Sequence, residues 1–467
     1  MIKNKTKIIA TLGPNCSNPK ILSSMIARGV NCFRINLSHG GQDSKKSYFD
    51  LIKSVNGSNK ESRPSILADL AGPKVRVRKL DKPIAIEKGQ TILISSGERV
   101  EGVVPISRNL VYKNVDPDSR IMINDGKICL KVKQQLSDHS FECETIIPGK
   151  IKNKTGVNFL GIELDVPSLT SQDEDDLKLA LENGADWVAL SFTRSKKDYN
   201  LVKSRMKTLG YDVPVIAKIE KWEAIENLDS IITAFDGVMV ARGDLGVEIP
   251  LERVPVIQKE IIRKARLFGK PVIIATQMLD SMIKEPVPTR AEVSDIANSI
   301  IDGTDALLVT GETAVGDYPE EVISVLSKVI EQTEKSIRYN DKIIDNDKVV
   351  STARAISHAA CNMAKDLNLN IIVTMTQSGG TARMVSSYRP SANIYAMTTM
   401  IETYRALSII WGVIPILVDK YNSSDEIPDL AKKRLQDMGI IMPDEKFIIT
   451  GGVPVNIPGT TNYISVL

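Results

Sequence analysis

The sequence predicts an α/β chain: a (β/α)8 TIM barrel, a small β-barrel lid domain inserted into it, and a C-terminal α/β domain. Three observations carry this. Eight short apolar segments, each ending in polar or glycine residues and followed by a helical pattern, precede residue 335. Between the third and fourth the rhythm breaks into short alternating strands. After about residue 335 a fresh α/β set begins.

The eight segments start at Lys7, Cys32, Ser65, Asp186, Val215, Gly237, Val272 and Ala306. Continuous apolar strands alternating with helices imply a parallel sheet covered on both faces, and eight such units close into a barrel. The intervening helices are legible too. Asn18 or Ser17 can cap a helix whose stripe is Ile21, Leu22, Met25 and Ile26, with Gly29 ending it. Ser171 with Glu174 reads as a capping box ahead of Leu177, Leu179 and Leu181.

The inserted strands begin at Pro83, Arg120 and Phe141. An insertion at a loop on the C-terminal face of a barrel can act as a lid. In the last part, a helix from Ile356 to Leu367 precedes a strand at Ile371, with later strands at Ala392, Val413, Lys446 and Tyr463. The expected domains are the barrel at 1–76 and 158–335, the lid at 77–157, and a regulatory or oligomerising domain at 336–467.

At 467 residues, about three domains are expected. With 60 basic and 57 acidic residues the net charge is only +3, which argues against a nucleic-acid-binding protein. Five scattered cysteines without a C-x-x-C pair read as reduced thiols in a cytoplasmic protein. A strand pattern begins at Thr6 with no apolar signal core before it. The longest apolar run, Ile409 to Val418, is about half a membrane span, so no membrane association is expected.

Polar residues at the C-terminal ends of barrel strands are the functional candidates. Here these are Arg34, Asn36, Ser38, His39, Asp69, Lys218, Glu220, Asp244, Thr276 and Glu312. Glu220 and Asp244 are hard oxygen ligands suited to Mg²⁺, with Lys218 a fixed positive charge beside them. That set can stabilise charge in phosphoryl transfer or at an enolate. Arg34 suits a phosphoryl group because guanidinium bonds its oxygens bidentately. Arg242, Gly243 and Asp244 lead into a turn whose amides can hold a carboxylate. Taken singly, each has a plainer reading. A strand-end acid is more often a helix cap or ion-pair partner, Lys218 a structural ion pair, and His39 a turn residue. Several at equivalent strand ends of one barrel favour a site for a small anionic metabolite carrying phosphate and carboxylate.

The strings FRINLSHG (33–40), AKIE (217–220), MVARGDLGVEIP (239–250), ATQMLDSM (275–282), PTRAEVSDIAN (288–298) and TGETAVGDYP (310–319) resemble the pyruvate kinase family. The resemblance includes INDG (123–126) and GVN (156–158) in the insertion. It implies phosphoryl transfer from phosphoenolpyruvate to ADP, giving pyruvate and ATP, in a cytoplasmic homotetramer. Glu220 and Asp244 would hold Mg²⁺, with Mn²⁺ as the alternative ion. Lys218 would neutralise the transferring phosphoryl group and enolate, and Arg34 would bind the phosphate. Gly243 and Asp244 amides with the Thr276 hydroxyl would bind the carboxylate, and Thr276 would join the proton path to pyruvate. Arg76, His39 and Asp125 would meet the nucleotide.

The family's monovalent-cation site matches Asn36, Ser38, Asp69 and the Leu70 carbonyl, where Leu70 replaces a threonine. Lys74 stands where potassium-dependent members carry glutamate, so its ammonium is expected to supply the charge of K⁺ and make K⁺ unnecessary. The loop Thr376, Gln377, Ser378, Gly379, Gly380 and Thr381, between a strand and a helix starting near Ala382, is a phosphate cradle. In the family the matching loop takes a phosphorylated effector. The second wall, 451–462, lacks the arginine and tryptophan of members that take a bisphosphorylated sugar, so a sugar monophosphate such as ribose 5-phosphate is expected. Two other functions compete: an Mg²⁺-dependent enolate lyase, which has no use for a nucleotide lid, and an inactive sugar-phosphate sensor, which has no use for the strand-end set.

Overall fold

The computed structural model describes residues 4–55, 63–97, 102–107, 110, 112–113, 115–116, 119–164, 166–337, 351–455, 457 and 459–467. Asn456 and Pro458 of the second wall lie outside the described residues, as does the 338–350 stretch that follows the expected boundary near 335. Eight parallel strands close a barrel: β1 (Lys7–Thr11), β2 (Val30–Asn36), β3 (Ser65–Leu70), β4 (Trp187–Leu190), β5 (Val215–Ile219), β6 (Gly237–Ala241), β7 (Val272–Ala275) and β8 (Ala306–Val309). Each pairs with its neighbour in order, and β8 returns to β1 with Lys7 opposite Ala306.

Side chains alternate across each strand, so every strand serves two environments. One set, including Ile8, Phe33, Ile66, Val188 and Val238, packs against the outer helices. The other, including Ile9, Cys32, Leu67, Trp187, Ile216, Met239 and Leu308, fills the interior. That inner cluster runs on without a break into Leu407, Ile409 and Ile410 of the C-terminal domain. Trp187 also donates its indole N–H to the Ala406 carbonyl at 3.0 Å. The bottom of the barrel is therefore sealed by the C-terminal domain, and only the opposite end is open to substrate.

Between β3 and β4, six strands form one sheet in the order Val157–Leu160, Arg120–Ile123, Ile128–Ser137, Ser140–Ile147, Thr91–Ser95, Val103–Pro105. Ile84–Ile86 pairs with Gly149–Ile151, and Tyr112–Lys113 with Glu163–Leu164. Their shared core centres on Tyr112, Phe141 and Phe159. The C-terminal sheet holds β9 (Ile371–Met375), β10 (Asn393–Thr398), β11 (Val413–Leu417), β12 (Ile448–Gly452) and β13 (Thr461–Val466), in the order β11-β10-β9-β12-β13. Only β13 runs antiparallel to its neighbour.

Two local expectations are corrected. The helix Ser171–Glu182 is capped by Thr170, whose hydroxyl accepts from the Asp173 N–H in a reciprocal box; Ser171 and Glu174 are not the pair. Asp173 wins because its buried carboxylate also accepts the Gly72 N–H at 3.0 Å. The helix after the phosphate-type loop is Gly380–Ser387 and begins two residues before Ala382, because Gly379 takes φ +80° and lets the chain turn directly into it.

One buried ion pair locks the entry to β4. Arg63 grips Asp186 with two bonds of 2.7 and 2.9 Å, and Asp186 also accepts the Ile66 N–H. Burial lifts the Asp186 carboxyl above its ordinary range, with Arg63 opposing. Removing Arg63 (Arg63→Met) leaves that charge uncompensated, at a cost of roughly 3–5 kcal/mol near neutral pH. A carboxyl raised in the folded state binds a proton more tightly there than in the unfolded chain, so its penalty grows as pH rises and shrinks as pH falls. Urea denaturation should show the deficit of Arg63→Met narrowing from about pH 7 to about pH 5; a deficit independent of pH would refute this.

Candidate active site

The inner faces of the strands are apolar at the sealed end and charged at the open end. β2 carries Cys32 and then Arg34, β3 carries Leu67 and then Asp69, and β5 carries Ile216 and then Lys218. Register places Asn36 opposite Asp69 and Asp69 opposite Ala189. The charged residues therefore meet across four adjacent strands.

Asp69 is the junction. It is 1% exposed and pairs with Arg34 Nε at 2.7 Å and Lys218 Nζ at 3.2 Å. Burial works against its charge, but Lys218 and Arg34 prevail and hold its carboxyl below the usual range. Lys218 also pairs with Glu220 Oε1 at 3.0 Å. Burial likewise works against the ammonium, and Asp69 and Glu220 outweigh it, raising the Lys218 pKa. Glu220 is raised by burial and by the Asp244 carboxylate, while Lys218 and the Phe192 N–H, 2.8 Å from Oε2, oppose.

Ser191, just past β4, was not among the sequence candidates. It accepts from Lys218 Nζ at 2.7 Å and donates to the Leu70 carbonyl at 2.7 Å, fixing the ammonium to the end of β3. Its signal was its place at the end of the fourth apolar segment. Gly72 makes this close approach possible: its φ is +67°, and an added Cβ would sit 2.9 Å from the Phe192 ring and 3.0 Å from Ser191.

On the other side, Thr276 has φ +69°, an outlier for a β-branched residue, followed by Gln277 at +54°. Arg242 holds this turn. Its guanidinium donates to the Thr276 carbonyl at 2.8 Å and the Gln277 carbonyl at 3.1 Å, and it pairs with Asp295 at 2.5 Å. The turned Thr276 hydroxyl accepts the Gly243 N–H at 2.8 Å, which sets it beside the short helix Arg242–Glu248 carrying Asp244.

The other expected residues fall as follows. Asn36 accepts the Ser38 N–H at 3.1 Å, and Ser38 and His39 are exposed. Lys74 pairs with Asp244 at 3.4 Å, so its ammonium lies on the Asp244 side of the site. Among the described residues it makes no ion pair with Asp69. Arg76 donates to the Lys154 carbonyl at 3.1 Å and bridges to Gly156 at the base of the insertion. Asp125 is exposed in a turn at φ +53°. Glu312, a strand-end candidate, is a structural acceptor: it is buried and takes the Leu279 and Thr310 N–H groups at 3.1 and 2.6 Å. In the C-terminal domain, Thr376, Ser378, Gly380 and Thr381 line a cleft of about 660 Å³ with Gly452, Thr460 and Thr461, and Thr381 bonds Thr461 across it at 2.7 Å. Gly379 lies behind it, packed on Leu407.

Among the described residues no three His, Cys, Asp or Glu side chains cluster to enclose a metal. Glu220 and Asp244 form an open pair instead. Mg²⁺ is commonly held by one or two carboxylates, with water and substrate oxygens completing its shell, so this donor set fits it.

Fold and site together define a barrel phosphotransferase, with cations and carboxylates gathered at one open end. Comparison with known proteins makes this particular. Residues 3–323 match the pyruvate kinase barrel domain and residues 354–467 the pyruvate kinase alpha/beta domain. A pyruvate kinase from Thermotoga maritima is 41% identical over 466 residues, covering 99% of both chains. One from Staphylococcus epidermidis is 38% identical, covering 99% of this chain and 80% of its own. A crystal structure of a pyruvate kinase from Cryptosporidium parvum superposes with TM-score 0.91 at 33% identity, over 100% of this chain and 96% of that one. The chain belongs to the pyruvate kinase family. The lyase and inactive-sensor alternatives are set aside.

Ser191→Ala removes a hydrogen bond to a charged group, worth about 1.5–3 kcal/mol. If it orients Lys218, kcat should fall about 10- to 100-fold while the far-UV spectrum is kept. Steady-state rates equal to the parent's would mean Lys218 is held without it.

Proposed function

We propose that the chain transfers the phosphoryl group of phosphoenolpyruvate to ADP with Mg²⁺ held by Glu220 and Asp244, Mn²⁺ being the alternative. The observation that carries this reading is the convergence of Arg34, Asp69, Lys218 and Glu220 at one end of the barrel. The barrel is the catalytic body; the lid is the insertion, whose strands run past the expected boundary at 157 to Leu164; and 336–467 is the regulatory part. Bound Mg²⁺ would neutralise charge on the phosphoryl and enolate oxygens.

Arg34 uses Nε on Asp69 and one terminal nitrogen on Thr11, leaving the other to bind phosphate oxygens. Lys218, held cationic by its two carboxylates, stabilises charge that grows as the bond from phosphorus to the enol oxygen breaks. Phosphorus moves to a terminal oxygen of ADP, and the enolate left behind takes a proton on its methylene carbon to become pyruvate. Thr276 lies on that proton's path and, with the Gly243 and Asp244 amides, orients the substrate carboxylate. Arg76, with His39 and Asp125, meets the nucleotide under the lid. The inserted sheet is tied to the barrel through its strand Val157–Leu160, where Asn158 and the barrel's Lys221 both donate to Glu248, at 2.9 and 2.8 Å.

Asn36, Ser38, Asp69 and the Leu70 carbonyl form the monovalent-cation position. The Lys74 ammonium supplies a fixed positive charge at this end of the barrel, so K⁺ is not required. The Thr376–Thr381 loop takes a sugar monophosphate as activator, and the assembly is a cytoplasmic homotetramer. In keeping with that location, all five cysteines are buried and unpaired, and no helix among the described residues is long and apolar enough to cross a membrane.

Two experiments test this. Pyruvate should form from phosphoenolpyruvate and ADP with Mg²⁺ at the same rate without and with K⁺, and Lys74→Glu should acquire a K⁺ requirement. Turnover of the parent only with K⁺ would keep the kinase and discard the role of Lys74; no pyruvate in either buffer would discard the reading itself. Separately, Ser378→Glu puts a negative charge in the cradle and should abolish activation by ribose 5-phosphate. Undiminished activation in that variant would move the effector elsewhere.

A further inference from the structure

Two stretches of chain join the insertion to the barrel, one leaving at 74–76 and one returning at 156–158. They are bonded to each other: Arg76 bridges to Gly156, and the Val157 N–H donates to the Val75 carbonyl at 3.0 Å. Both also reach the same short helix, Arg242–Glu248. The outgoing stretch sends Lys74 to Asp244 at 3.4 Å. The returning one sends Asn158, whose amide donates to Glu248 at 2.9 Å. Asp244 and Glu248 are one helical turn apart and share one face of that helix. Asn158 also sits opposite Met122 in the inserted sheet, so its place follows that of the whole sheet.

Barrel and insertion meet on a single atom of Glu248. Its Oε1 accepts from Asn158 and, at 2.8 Å, from Lys221 Nζ, and both Glu248 and Lys221 are buried. Its Oε2 is buried with no hydrogen-bond partner among the described residues, so Oε1 carries both bonds. Lys221 directly follows Glu220 at the end of β5. One carboxylate thus joins the segment bearing Glu220, the helix bearing Asp244 and the insertion. Close packing does not supply this link. Lys74, Asn158, Phe192 and Lys221 line a cleft of about 40 Å³ beside it, room for a few waters. A buried ion pair is weak evidence of stabilisation, because desolvation offsets its attraction. The placement of this one gives it another task.

We propose that Glu248 is a positioning residue for phosphoryl transfer. Through Lys221 it sets how Glu220 stands to Asp244, and through Asn158 it makes that spacing depend on where the insertion sits. This rests on the reading that Glu220 and Asp244 hold the divalent cation. An insertion that swings away takes Asn158 with it and leaves Glu248 held by Lys221 alone. The metal is then bound most tightly with the insertion docked, because ligands oriented by outer partners bind metal better.

The test is Mn²⁺ binding to the full chain without substrates, read from the electron paramagnetic resonance signal of free Mn²⁺, with melting temperature measured on the same samples. The parent, Glu220→Gln, Asn158→Ala and Glu248→Gln are compared. Glu220→Gln should lose Mn²⁺; if it binds as the parent does, the cation lies elsewhere, and the metal reading and this inference fall together. With that control as expected, Glu248→Gln should weaken Mn²⁺ binding at least about tenfold. Asn158→Ala removes one hydrogen bond and leaves the Lys221–Glu248 pair, so it should fold even if Glu248→Gln does not. It should weaken Mn²⁺ binding about threefold or more, with a melting temperature near the parent's. Parental Mn²⁺ affinity in Asn158→Ala, or in folded Glu248→Gln with only its melting temperature lowered, would overturn the positioning role and leave the metal reading standing.

Discussion

The site rests on the Asp69 carboxylate. It is buried at the end of a central strand and charged only because Arg34 and Lys218 flank it. Remove it, and two cations face each other across β3 with no compensation. Lys218 would be left with Glu220 alone, and burial would favour its neutral form. Asp69 thus sets the protonation state of one residue and the direction of another. The barrel makes this possible because parallel register brings β2, β3 and β5 to the same height around β4. Neighbouring strands supply opposite charges, and the closed interior supplies the low dielectric in which those charges act strongly.

Most of the architecture could be read from the chain because its dominant signal is local. A strand buried on both faces is an uninterrupted apolar run, and each of the eight runs became a strand. The polar residue that ends each run was equally visible, so Arg34, Asp69, Lys218 and Glu220, which the structure brings together, were among the candidates. Which charges touch was not visible, because contacts between strands separated by scores of residues leave no periodicity. Ser191 escaped for a related reason: serine at a strand end is common, and only the meeting of Leu70 and Lys218 gives it a task. The Phe192 amide carries no side-chain signature at all. Glu312 looked like its neighbours in sequence, but its carboxylate turns back onto backbone amides. In the insertion, the pairing of Tyr112–Lys113 with Glu163–Leu164 joins two-residue segments across a long loop, too short for alternation to register.

The two halves of the site are held by different physics. Around Lys218, charge pairing fixes side chains on rigid strands. Around Thr276, the backbone itself is forced into a left-handed turn costing about 1–3 kcal/mol. Such a turn persists only when its surroundings over-determine it, and Arg242 provides that by gathering the Thr276 and Gln277 carbonyls onto one guanidinium. The result is a hydroxyl aimed at the Gly243 amide, a position that ordinary strand geometry would not reach.

The opposite end of the barrel is where it joins the C-terminal domain. The apolar filling of the barrel and the core of the C-terminal domain form one continuous cluster. Close packing makes such a body resist small deformations and pass on larger ones as shifts of whole elements. The helix Gly380–Ser387 is the natural carrier. Its first turn lies at the cleft with Thr376 and Ser378, and its last carbonyl is gripped by Arg266 of the barrel. A ligand proposed for the cleft would have its most direct route to the barrel through how that helix seats on it. Any such coupling would have to pass this seam, where Arg266 holds the Ser387 carbonyl and Arg389 pairs with Asp305, as well as the apolar core.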